Sequence, residues 1–237
     1  MLVAAAVCPC PPLLVPPVAG GAAHELDATR SACTDALGVL AAARPDRLVV
    51  VGPAGPAADG PYPEGARGSF RGFGVDLDVR LGRDRGAAPG RELPASLAVA
   101  AWLLERVGRS DAPVEGLAVG QDLEPARCAA AGREIAASSD RVALLVMGDG
   151  SACRTLKAPG YLDERAAPFD AAVARALGAA DPAALMAIDA ELAREVQAAG
   201  RAPWQVLAGA AEGAGLSGSL LHEDAPYGVE YLVATWT

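Results

Sequence analysis

Histidine is nearly absent from this 237-residue chain: His24 and His222 are the whole supply. A site built on three imidazoles is therefore excluded. Aromatic residues make up only 4% of a sequence that is 52% apolar, so the core must be built from Ala, Val and Leu. No C-x-x-C pair occurs among the five cysteines, which removes a zinc ribbon. Their odd number and uneven spacing suit reduced thiols and a cytoplasmic setting better than a disulfide framework. No apolar run approaches the roughly 20 residues of a membrane span. The opening LVAAAV lacks a basic flank and meets prolines at once, so it does not read as an export signal. Net positive charge is missing too. A formal charge of −9 repels phosphate backbones and argues against nucleic acid as a partner.

What is present is a repeated pattern of apolar run followed by a Gly/Pro loop. LVAAAV (2–7), LVVV (48–51) within RPDRLVVVGPAGP (44–56), and VALLVM (142–147) are continuous apolar runs. Such runs fit strands covered on both faces. VEYLVATWT (229–237) predicts a last strand, VEGLAVG (114–120) a shorter one, and GVDLDVRLG (74–82) a strand with one wet face.

Helices are predicted over 20–43, 93–108, 124–138 despite Gly132, 164–180, 181–200 and 203–215. In the first, Leu26, Cys33, Leu37 and Leu40 share a face, while Glu25, Asp27, Arg30 and Asp35 reach solvent. Asp181 followed by Pro182 is an N-cap signal, with Gly200 closing that helix. The expectation is one α/β domain over 1–237. It has a mixed, mainly parallel central sheet flanked by helices on both faces, with strands near 2–7, 47–52, 141–147 and 229–235 adjacent or nearly so. Trp204 and Trp236 are expected in the core. Arg67, Arg71, Arg80, Arg83 and Arg85 form a basic stretch balanced by Asp76, Asp78 and Asp84, the pattern of a solvated face.

Parallel sheets bind ligands beyond the carboxyl ends of their strands. The loops there are CPCPP (8–12), GPAGP (52–56) and GDGSACR (148–154), which would bring Cys10, Pro11, Ala54, Asp149, Ser151 and Cys153 into one cleft. Cys10 and Asp149 are the candidates for catalysis. Cys10 would need a cationic neighbour such as Arg154 to become a thiolate. Asp149 is a base or a loop-capping side chain. Cys8, Cys10 and Cys153 are either small buried hydrophobes or a soft-metal set.

The order and spacing of CPCPPLLVP, LVVVGPAGP, LLVMGDGSACR, AAGRAPWQVLAGAA and APYGVEYLVATW resemble the class III extradiol ring-cleavage dioxygenases. This is the LigB-like superfamily that includes the Memo-like proteins. The resemblance runs through most of the chain. It implies a LigB-like fold, iron(II) held by two histidines and a late-helix ligand, and, by analogy, a homodimer. At the matching positions this chain has Cys10 for the first histidine and Ala54 for the second. The third ligand position falls in Ala199, Gly200, Arg201, Ala202, Pro203. The catalytic histidine expected after the G-D-x-S pattern of Gly148, Asp149, Gly150 and Ser151 is replaced by Ala152 or Cys153. The implied function is a pseudoenzyme that keeps a cleft for a small ligand or partner and has lost iron and ring cleavage, with no cofactor. The alternative is a diverged oxidoreductase or thiol-dependent enzyme in the same cleft. Glu230, Glu223 and His222 near the C-terminus are remote candidates as replacement ligands, since strand alternation turns Glu230 away from Val229 and Tyr231.

Overall fold

In the computed structural model, residues 1–84, 90–107 and 112–237 are described; Arg85 and the expected helix end at Gly108 lie outside them. The apolar run at the start forms β1 (Leu2–Cys8). Its burial, complete but for a partly exposed Val3, follows from having a partner on each edge and helices on each face. A proline-rich turn and the short α1 (Pro16–Ala19) lead to α2 (Asp27–Ala42), then β2 (Arg47–Ala54). Three short strands follow: β3 (Gly60–Tyr62), β4 (Arg67–Ser69) and β5 (Asp78–Arg80). Next come α3 (Ala95–Arg106), β6 (Val114–Gly120), α4 (Pro125–Ala137) and β7 (Val142–Met147). The chain ends with α5 (Ala166–Gly178), α6 (Pro182–Met186), α7 (Ala190–Glu195), α8 (Arg201–Ala210), β8 (Gly218–Asp224) and β9 (Tyr231–Trp236).

The main sheet has seven strands in the order β3-β6-β2-β7-β1-β9-β8. The four expected strands are contiguous at its centre, as β2-β7-β1-β9. Parallel pairing joins β6, β2, β7 and β1. Strand β9 is antiparallel to both β1 and β8, so β8 runs with the parallel set. This is a single-domain α/β fold with a mixed, mostly parallel sheet.

Side chains alternate along β1 between two apolar layers. Ala4, Ala6 and Cys8 share one apolar cluster with Cys33 and Leu37 of α2 and Leu97 and Trp102 of α3. Ala5 and Val7 face the layer containing Cys128 of α4, Phe169 and Val173 of α5, and Trp204 of α8. Trp204 and Trp236 are fully buried, and the Trp236 indole N–H donates to the Leu177 carbonyl at 2.7 Å. Among the described residues no helix is long and apolar enough to cross a membrane.

Several expectations need correction. Residues 20–26 form a 3-10 turn before α2 begins, and Arg30 is buried instead of reaching solvent. Its guanidinium captures the Leu14 and Ala23 carbonyls and Asp27, tying the proline turn to the helix. The strand expected over 74–82 shortens to β5, which among the described residues pairs only with β4. The helix expected over 181–200 breaks into α6 and α7, because Asp189 supplies a second N-cap, accepting from the Glu191 and Leu192 N–H groups. Gly200 does not close it: Gln197 takes the left-handed conformation there, at φ +56°. Gly200 is instead where two backbones nearly touch, since a Cβ added to Gly148 would collide with the Gly200 Cα. Finally, β8 was not expected. It is a half-wet edge strand with a register shift between Leu220 and His222, and it lacks the apolar run of the central strands.

Candidate functional site

The carboxyl ends of β1 and β7 lie side by side, and backbone hydrogen bonds weld their loops together. The Gly148 N–H donates to the Cys8 carbonyl at 3.0 Å. The Cys10 N–H donates to Asp149 Oδ1 at 2.8 Å. The Gly200 N–H donates to the Asp149 carbonyl at 2.8 Å. Asp149 therefore ties the first loop, the third loop and the entry to α8. Burial pushes its carboxyl up to about 6, although the Cys10 N–H acts in the opposite direction.

Cys10 is only 8% exposed, and burial together with the neighbouring Asp149 charge pushes its thiol well up. This is the reverse of an activated thiolate. Cys8 turns toward α2, where hydrogen bonding to Cys33 and burial raise it too. Pro11 and Ala54 are buried, and Ala54 shares the apolar layer of Cys10. Tyr231 completes this side; burial and then the Asp149 charge raise its hydroxyl.

Ser151 and Cys153 leave that group. Cys153 is buried in the opposite apolar layer, so it does not join Cys8 and Cys10 in a thiol site. Ser151 donates both its N–H, at 2.8 Å, and its hydroxyl, at 2.6 Å, to Asp170 of α5. Asp170 also accepts from Arg154 Nη1 at 3.2 Å, and the same nitrogen pairs with Glu230. Two backbone bonds clamp this cluster: Gly150 N–H to the Glu230 carbonyl at 2.8 Å, and Glu230 N–H to the Ser151 carbonyl at 2.9 Å.

Asp170 is wholly buried and Glu230 is 1% exposed. Burial and then the Asp170 charge push Glu230 up to about 7, with Arg154 opposing. Burial likewise raises Asp170, against its bonds from Ser151 and Arg154. One guanidinium thus serves two buried carboxylates, and among the described residues Glu230 Oε1 has no partner. Sequence reasoning passed over Asp170 and discounted Glu230. The available signal was a single acid inside each otherwise apolar element, PFDAAV and VEYLV.

The histidines lie elsewhere. His24 is exposed with its Nδ1 3.2 Å from the Gly21 carbonyl, and His222 Nε2 is 3.0 Å from Thr29 Oγ1. Arg201, next to the matched late-helix position, is buried. It holds the Gln121 and Leu123 carbonyls and Gln205. Two of the three positions that the resemblance pairs with iron ligands, Ala54 and Ala199, carry no side-chain donor atom, so that set does not fit an iron(II) ion. Among the described residues no group of three or more His, Cys, Asp or Glu side chains is placed to hold a metal.

No family model matches the chain, and no curated protein matches it by sequence. The crystal structure of the uncharacterized protein JW3007 from Escherichia coli K12 is similar in fold. Its TM-score is 0.52 at 16% identity, covering 98% of this chain and 99% of that one. At that identity the likeness is one of fold alone.

Proposed function

We propose that this chain is a LigB-like scaffold without iron chemistry, whose strand-end cleft receives a small ligand or partner. The observation that carries this reading is the donor set at the matched positions. Cys10 has its backbone tied to Asp149 and its thiol held protonated, while the side chains of Ala54 and Ala199 offer no donor to a metal. An iron(II) oxygenase needs ligands that fix the ion while leaving positions open for substrate and oxygen. Protein reconstituted anaerobically with iron(II) is expected to retain well under one iron per chain after desalting and to show no oxygen uptake on catechol. Stoichiometric iron lost on Cys10→Ala, with ring cleavage, would overturn the reading.

A thiol-dependent enzyme in the same cleft is disfavoured by the raised Cys10 thiol. Iodoacetamide should alkylate Cys10 at least about tenfold more slowly than free cysteine near neutral pH. Mass spectrometry of the modified peptide over time reads this directly, and a rate above that of free cysteine would restore the thiol enzyme. A second reading has Asp149 in its favour: a carboxyl raised to about 6 is tuned for acid–base work near neutrality. It requires a substrate hydrogen-bonded to Asp149.

A further inference from the structure

Strand β9 runs against β1, so the loop before β9 returns to the same end of the sheet as the third strand-end loop. Between them lies an open cavity of about 710 Å³ whose lining includes Arg154, Leu156, Lys157, Leu162 and Tyr227. Its walls are fixed to each other. The Arg154 N–H donates to the Gly228 carbonyl at 3.0 Å. Gly228 itself, at φ +73°, sits so close to Thr155 and Ala158 that a Cβ there would lie within 2.7 Å of both. Leu156 is 62% exposed and Leu162 45%, so apolar surface faces the opening.

Arg154 gives only Nη1 to Asp170 and Glu230. Among the described residues its Nε and Nη2 take no partner, and neither does the ammonium of Lys157. A guanidinium anchored from behind, with its outer edge free, is preorganised for a bidentate oxyanion.

We infer that this cavity binds an organic anion. A carboxylate sits on the outer edge of Arg154 beside Lys157, and its apolar body lies against Leu156, Leu162 and Tyr227. The inference rests on the reading that ligands enter at this end of the sheet, and not on the loss of iron. Binding is linked to a proton. Glu230 is faced by Arg154, by Asp170 of α5 and by Glu223 and Asp224 of β8, while Glu25 faces Tyr227. When Glu230 is protonated, Arg154 is neutralised by Asp170 alone and attracts the incoming anion more strongly. Affinity therefore rises as pH falls through about 7.

The test is titration of the full chain with phenylacetate and with its neutral counterpart phenylacetamide, followed by NMR. Phenylacetate is expected to bind saturably and the amide about tenfold more weakly. Lys157→Gln, an exposed change, weakens phenylacetate about threefold. Lowering the pH by one unit through neutrality tightens wild type by at most about tenfold, and Glu230→Gln removes that dependence. Equal binding of acid and amide, wild-type affinity in folded Lys157→Gln, or no saturation by about 10 mM ligand would each overturn the inference. Iron content is measured on the same preparation. Protein that holds iron yet binds phenylacetate as described refutes the proposed function and leaves this site standing.

Discussion

Stability should fall as the pH rises from about 5 to about 8, by on the order of 3 kcal/mol from Glu230 alone. Most proteins with paired carboxylates behave in the opposite sense at the acid end. The sign follows from the direction of the shift. Glu230 moves from an ordinary 4.5 up to about 7 in the folded chain. The folded state therefore holds the proton more tightly than the unfolded state. The resulting stabilisation is complete below about pH 4.5 and is lost as the pH rises through about 7. Asp149, raised from 3.8 to about 6, acts in the same sense over a lower window. Urea denaturation of wild type, Glu230→Gln and Asp149→Asn at several pH values separates the two. Glu230→Gln keeps the Arg154–Asp170 pair and should flatten the upper part of the slope; Asp149→Asn should flatten the lower part. A wild-type stability that climbs across this range would show that the two carboxyls are not held protonated by burial.

Gly132→Ala is expected to destabilise the protein by about 3 kcal/mol or more. In an isolated helix the same change stabilises by up to about 1 kcal/mol, because alanine loses less backbone entropy. Here packing decides the sign. A Cβ on Gly132 of α4 would collide with the Val206 carbonyl oxygen of α8, and one on Gly209 of α8 with the Ala129 carbonyl oxygen of α4. The obstacle is backbone in both cases, so no side chain can swing aside and the helices must separate. Gly38→Ala in α2 is the control, since nothing lies within 4 Å of its added Cβ. That variant should gain about 0.5–1 kcal/mol. Thermal melts of wild type and the two variants check this, and a Gly132→Ala melting temperature equal to that of Gly38→Ala would contradict the close approach.

The two glycines show what was readable beforehand. Gly132 was legible only as an unfavourable residue in a helical pattern, because the reason for it sits 74 residues away at Val206. Gly200 looked like a helix stop for the same reason, its true neighbour being Gly148. The break between α6 and α7 was written locally in Asp189, yet the surrounding helical periodicity masked it. Strand β8 escaped because an edge strand needs no continuous apolar run. Arg30 looked solvent-bound because it lies among polar residues, whereas the carbonyls it captures at Leu14 and Ala23 come from the preceding turn.

The sequence by itself determined the layered α/β fold and which four apolar runs form the centre of its sheet, while their order across it came from the tertiary structure. Burial on both faces demands long apolar runs, and such runs are visible without coordinates. It also determined what the strand-end loops lack, because side-chain donors belong to residue types and the Ala54 side chain offers none in any fold. Only the tertiary structure decided which polar groups meet. Arg154, Asp170 and Glu230 come from a loop, a helix and the approach to the last strand. Their burial follows from sheet topology, and burial, more than residue type, brings a glutamate near neutrality. It likewise turned Cys10 from a candidate nucleophile into a protonated thiol, by placing it out of water beside the carboxylate of Asp149.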